Sequence, residues 1–206
     1  MTVHGAADNA QESPKPMAPG DGVLCESDKT PPDAKIAACT RDINSGSLNN
    51  NQLARAYTNR GTGFARNRDA DHALADFTKA IDLDASISGA YYNRGSVWSA
   101  KGNLDRAIED YSAAIRIEPT FFLAHMARAA SYLRRGDGKN ALNDADELVT
   151  LAPNSPLAVE TRAFALNLVG RRDEAIAEYR RALVLAAGSP PLQEEIEAAL
   201  KKLGAK

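Results

Sequence analysis

The sequence predicts an all-α protein: a right-handed α-α superhelix of four helical hairpins, with an N-terminal half-repeat before them and a C-terminal capping helix after. Three observations carry this reading. The chain matches itself at a shift of 34, and turn glycines keep step with that shift at Gly102, Gly136 and Gly170. Aromatic residues make up only 6% of the chain while alanine recurs in register, a bias that favours closely packed helices over a sheet sandwich.

The period justifies each hairpin in turn. Shifting by 34 lays Tyr57-Thr58-Asn59-Arg60-Gly61 on Tyr91-Tyr92-Asn93-Arg94-Gly95. Alanines stand at Ala73, Ala107, Ala141 and Ala175, and an aromatic residue follows four positions later at Phe77, Tyr111 and Tyr179, with Ala145 as the exception. Each cycle reads as two amphipathic helices of about three turns, with small residues where the backbones must approach. The hairpins span residues 54–87, 88–121, 122–155 and 156–189.

Further slots recur at the same spacing. A bulky residue stands at Tyr57, Tyr91, His125 and Val159, a small one at Gly61, Gly95, Ala129 and Ala163, and a second bulky one at Phe64, Trp98, Tyr132 and Leu166. Later come Ala80, Ala114, Leu148 and Ala182, then Pro119 and Pro153, replaced in the other cycles by Ala85 and Ala187. On these residues the stretch 54–189 resembles the tetratricopeptide repeat family. The resemblance implies a protein–protein interaction module whose concave side, lined by the first helices, binds a peptide or protein segment. Some members grip the terminal carboxylate of a chaperone tail with lysines and an arginine; here those places hold Thr58, Leu123 and Ala127, which disfavours that role.

In phase with the repeat, the outward positions of the first helices include Asn59, Thr62, Arg66, Tyr92, Asn93, Ser96, Met126 and Arg134. These are the candidate groove residues. Side-chain amides at Asn59 and Asn93 can answer both a C=O and an N–H of an extended segment, while Tyr92 and Met126 supply apolar contact. Simple exposure of the two asparagines is the alternative.

The chain departs from the family pattern in one consistent way: arginine fills the leucine slot at Arg60, Arg94, Arg128 and Arg162. An acid answers each at position i+16, as Asp76, Asp110, Asp144 and Glu178. In antiparallel helices that offset brings guanidinium and carboxylate together, so one ion pair is expected within each hairpin. A ligand-binding ladder of arginines is the competing reading.

At the N-terminus, five of the ten prolines fall in residues 1–32 together with Asp8, Glu12, Asp21, Glu26 and Asp28, the composition of a disordered tail. Residues 33–53 read as a capping helix and loop, with Ile36, Cys39 and Ile43 on one stripe. Cys39 occupies the alanine slot of a half-repeat that shows a second helix but no first one. The chain has two cysteines, Cys25 and Cys39, and no histidine near them, too few ligands for zinc and the wrong spacing for a Cys-x-x-Cys pair. A structural disulfide between them is expected, with two separate buried thiols as the alternative. At the other end, residues 190–206 read as a solvating cap helix with Leu192, Ile196, Leu200 and Leu203 on one face.

Composition and motifs also exclude function classes. A net charge of −2 lacks the basic excess of a dedicated nucleic-acid binder, and no apolar run approaches a membrane span. No nucleophile elbow, phosphate loop, zinc-protease motif or dinucleotide fingerprint occurs, so no catalytic residue, cofactor or metal site is expected. His125 reads as a packed substitute for Tyr57 and Tyr91. The expected function is non-catalytic binding of a protein or peptide partner; a scaffold acting through the convex face or cap helix is the alternative. The two cysteines and the following repeats resemble exported tetratricopeptide proteins of Gram-negative bacteria, which implies a periplasmic or otherwise exported protein. The first ten residues lack the pattern of an export signal, so a cytoplasmic location is the alternative, although Gly5, Ala6 and Ala7 are of the kind that stand near a cleavage site in a longer precursor.

Overall fold

The computed structural model describes residues 21–205, which form eleven helices and no strand. The chain divides into two compact units, Met1–Asp84 and Ala85–Lys206. In the first unit lie α1 (Asp21–Glu26), α2 (Pro32–Asn44), α3 (Asn50–Arg66) and α4 (Ala70–Leu83). The second holds α5 (Ser88–Ala100), α6 (Leu104–Ile117), α7 (Phe122–Arg135), α8 (Gly138–Leu151), α9 (Pro156–Leu168), α10 (Arg172–Leu185) and α11 (Pro190–Lys202). Among the described residues, no helix is long and apolar enough to cross a membrane.

Consecutive helices pack as hairpins, α3 on α4, α5 on α6, α7 on α8 and α9 on α10, and in the second unit each hairpin packs on the next. The period of the sequence reappears in the local chemistry that starts each second helix. Asp69, Asn103 and Asp137 cap α4, α6 and α8 by accepting from the backbone N–H three residues on. In the fourth cycle the slot holds Arg171, which caps nothing and instead forks onto Glu174 at 2.6 and 2.7 Å. The turn just before uses a left-handed residue each time, Gly102, Gly136 and Gly170, whereas the first cycle places Arg68 there at φ 62°.

Small residues set how closely the hairpins close. A Cβ added at Gly95 would lie 2.9 Å from the Tyr111 ring and 3.1 Å from the Asp110 Cβ, and one at Gly61 would lie 2.8 Å from the Phe77 ring. In the third hairpin Ala129 fills that slot and the facing aromatic is replaced by Ala145, so a methyl is exchanged for a ring across the interface. Gly95→Val is therefore expected to cost about 1–3 kcal/mol through overpacking. Gly89, whose added Cβ meets nothing within 4 Å, supplies the control: Gly89→Ala leaves the urea midpoint of the second unit within experimental error, and equal midpoints for the two variants would contradict the close approach.

The N-terminal reading needs correction. The stretch 1–32, expected to be disordered, contains α1 and the first residue of α2, and Cys25 within it is buried. Residues 1–20 of that expected tail lie outside the described residues. Helix α1 supplies the short first helix that the half-repeat lacked in sequence, and it packs on α2 and α3. Helix α3 also starts four residues ahead of the expected hairpin boundary at 54, because Asn49 and Gln52 form a reciprocal capping box that satisfies two otherwise free backbone donors. At the C-terminus, α11 buries Ile196 and Leu200 against the cluster formed by Val159, Leu166, Tyr179 and Ala182.

Candidate functional site

The recurring arginines lie inside the hairpins. Arg60 forks onto Asp76 at 2.8 Å through both Nε and Nη2, and Arg94 onto Asp110 at 2.9 and 2.7 Å. Arg128 forks onto Asp144 at 2.9 and 2.6 Å, and its Nη1 reaches back along the chain to Ser112 Oγ at 2.9 Å. Hydrogen bonding to Asp76 holds the Arg60 guanidinium above its ordinary value; at Arg128 burial pulls down, and the hydrogen bonds and charge of Asp144 outweigh it.

The fourth pair is looser. Arg162 Nη1 meets Glu178 Oε1 at 3.4 Å, while its Nε pairs with Asp146 at 2.8 Å. Asp146 stands where Ser112 stands one cycle earlier, so here an acid rather than a hydroxyl lies behind the arginine and draws it away from Glu178. His125 joins the third pair: its Nδ1 lies 3.1 Å from Asp144 and its Nε2 2.9 Å from the Pro119 carbonyl. It ties α7 to the middle of α8 and to the loop that precedes α7, and sequence alone supplied only its apolar slot.

The candidate groove residues divide by unit. In the first, Asn59 lines a cavity of about 320 Å³ with Cys25, Glu26, Asn51 and Arg55. Thr62 turns its hydroxyl onto the Thr58 carbonyl, and Arg66 donates from Nη1 to the carbonyls of Asp28 and Thr30, so it holds the loop between α1 and α2. In the second unit Tyr92 packs between the rings of Tyr111 and Phe121, at 5.9 and 5.2 Å. Ser96 Oγ donates to the Tyr92 carbonyl and accepts from the Tyr111 hydroxyl, Arg134 reaches Ser99, and Met126 is partly buried. Several of these positions thus spend their polar groups within the fold.

The second unit presents an apolar row that the candidate set did not contain. On α9, Leu157, Phe164 and Leu168 are 46%, 49% and 42% exposed, and on the neighbouring α7 Leu123 is 50% exposed. Residues 157, 161, 164 and 168 share one helix face, and Leu123 is the equivalent of Leu157 one cycle earlier. The signal was present in the sequence: Phe164 fills the slot of Ser96 two cycles on and of Thr62 three cycles on, both of them candidate groove positions. Beside this row, α9, α10 and α11 enclose a cavity of about 250 Å³ that includes Glu160, Phe164, Tyr179 and Glu195 in its lining.

Comparison with known proteins agrees with this architecture. Residues 88–121 match the tetratricopeptide repeat model. Among solved structures, a MamA protein superposes with a TM-score of 0.67 at 21% identity, over 75% of this chain and 82% of that one. YrrB, described as a repeat protein of this kind with an unusual peptide-binding site, superposes with a TM-score of 0.67 at 22% identity, over 81% of this chain and 85% of that one. TTC0263 of Thermus thermophilus gives 0.61 at 20% identity, over 82% and 90%. No curated protein sequence matches the chain. The repeating slots, the hairpins and the matched unit agree: residues 88–121 form a tetratricopeptide repeat, and the chain has the fold of the repeat proteins it superposes on.

Proposed function

We propose that the chain is a non-catalytic interaction module that binds a peptide or protein segment along the first helices of its second unit. The observation that carries this reading is the exposed row Leu123, Leu157, Phe164 and Leu168 on α7 and α9. A monomeric soluble surface scatters large apolar residues singly; a row in repeat register marks a place where a partner removes them from water. Asn93 and Met126 extend the same surface with an amide and an apolar contact. The peptide-binding site named for YrrB supports the reading by fold likeness alone.

A photo-crosslinking residue at position 164, with the chain expressed in its native host, is expected to give a discrete adduct. The substitution Leu157→Ser should remove that adduct and weaken binding of the identified partner at least tenfold, the usual loss when a buried anchor is truncated. Adducts arising from position 184 on α10, where Val184 is the most exposed large apolar residue of the described chain, and none from 164, would place the interface on the second helices and sink the groove.

The location proposed is an oxidising compartment, the bacterial envelope. What supports it is the disulfide between Cys25 and Cys39, both buried in the first unit.

A further inference from the structure

The last hairpin differs from its neighbours where hydrogen bonding and charge meet. In the second hairpin the hydroxyl of Tyr111 donates to Ser96 Oγ at 3.3 Å. Tyr179 fills the same slot two cycles on, and the slot of Ser96 is taken there by Phe164, which offers no acceptor. Tyr179 is only 3% exposed, yet among the described residues its hydroxyl has no hydrogen-bond partner and it lines the cavity between α9, α10 and α11.

Two carboxylates line the same cavity. Glu160, half-buried on α9, and Glu195 on α11 form no ion pair among the described residues, and Lys202, exposed at the rim, reaches neither. Burial, with Glu195 facing it, pushes the Glu160 carboxyl up to about 7. Burial and the charges of Glu160 and Glu195 likewise push the Tyr179 hydroxyl up to about 12. A fold that gains from its own Glu160 being neutral loses stability as pH rises toward that value, so ionising this group works against folding. Charge held at such a cost, beside a hydroxyl that opens into the cavity without a protein partner among the described residues and an exposed aromatic ring, points to a ligand that supplies the missing countercharge.

We propose that this cavity is a cation pocket, which takes a lysine or arginine side chain of the segment bound along α7 and α9. Glu160 and Glu195 are the charge partners and the Tyr179 oxygen accepts a further hydrogen bond, so that the three N–H donors of an ammonium find three acceptors. Phe164, Ala198 and Leu203 line the cavity and provide apolar walls for the methylene stem, and Phe164, half exposed, adds an aromatic ring beside the cation. The proposal rests on the reading of the α7 and α9 row as a binding surface and adds the chemistry of its occupant.

The test uses the full chain and a defined probe, N-acetyl-lysine methylamide, followed by NMR at pH 8. Saturable shifts are expected at Glu160, Phe164, Tyr179 and Glu195, and the Glu160 titration midpoint should fall as the cation binds. The double variant Glu160→Gln/Glu195→Gln, in which the amide at position 160 mimics the neutral form that the fold favours there, should unfold no lower than the wild type and bind the probe at least tenfold more weakly. At pH 5.5, where Glu160 is protonated, wild-type binding should weaken as well. Equal shifts from the uncharged N-acetyl-norleucine methylamide, or lysine binding unchanged in the double variant, overturn the pocket. A peptide-display selection separates this idea from the one beneath it. Peptides selected on the wild-type chain are expected to carry a basic residue at one fixed position, and those selected on the double variant are not. Peptides that bind the α7 and α9 row without any basic preference overturn the pocket and leave the surface standing; a probe that binds the pocket while no peptide is selected does the reverse.

Discussion

Replacing Asp144 by alanine is expected to lower the stability of the second unit by about 3–5 kcal/mol, the usual result of leaving a buried charge without its partner. Asp144 has a side chain only 3% exposed and holds two groups at once, the Arg128 guanidinium through both oxygens and the His125 ring. Its loss leaves Arg128, itself 20% exposed, with Ser112 of the preceding hairpin as its remaining side-chain acceptor among the described residues. The matched substitution Glu178→Ala should cost no more than about 1 kcal/mol, because the Arg162 contact there is long, single and more exposed, and Arg162 keeps Asp146. Urea unfolding of both variants at neutral pH checks the contrast. Similar small losses for the two would show that the bidentate pairs are surface decoration. Removing both partners as Arg128→Met/Asp144→Leu should recover most of the stability, since two apolar groups of similar volume avoid the desolvation of either charge. That recovery would separate the cost of an orphaned charge from the net worth of the pair.

The contrast also shows what the sequence could and could not convey. An interval of 34 with a companion interval of 16 is information in register, and register survives translation into structure because every hairpin repeats the same helix contacts. The arginine–acid pairing and the close approach at Gly61 and Gly95 were legible for that reason. Helix α1 was not, because six residues give less than two turns in which a helical period could show, and they sit in a proline- and acid-rich context. What holds α1 comes from residues distant in sequence: the Cys39 sulfur, the Lys35 ammonium on the Cys25 carbonyl, and, just beyond it, Arg66 on the carbonyls of Asp28 and Thr30. Arg66 has the phase of a groove residue, and phase cannot say whether a long side chain will turn back onto the chain. Phe164 shares its phase with Thr62 and Ser96, whose hydroxyls are the more obvious hydrogen-bonding groups. Glu195 belongs to the cap helix, outside the repeat, and no register argument could place it beside Glu160.

Those long-range ties to α1 lead to the second large effect. Reducing the Cys25–Cys39 disulfide, or replacing both residues by alanine, is expected to destabilise the first unit by about 3 kcal/mol, the chain-entropy value for closing a loop of roughly 15 residues. Packing adds to it, because both cysteines are buried with Ala38 and Ala56 and the small α1 has few other apolar anchors. Lys35 makes the site more sensitive still. Its ammonium is fully enclosed and donates to the Cys25 carbonyl at 3.0 Å, with burial lowering its pKa, so release of α1 removes the acceptor that makes its burial tolerable. Thermal unfolding with and without dithiothreitol measures the effect. The wild-type midpoint should fall on reduction to that of the Cys25→Ala/Cys39→Ala variant, while the variant itself ignores the reductant. Trypsin provides a local readout: cleavage after the exposed Lys29, in the loop that the disulfide closes, should accelerate in step with the loss of stability. A wild-type midpoint indifferent to reductant, or cleavage at Lys29 equally fast in both redox states, would mean that α1 is held by its non-covalent contacts alone.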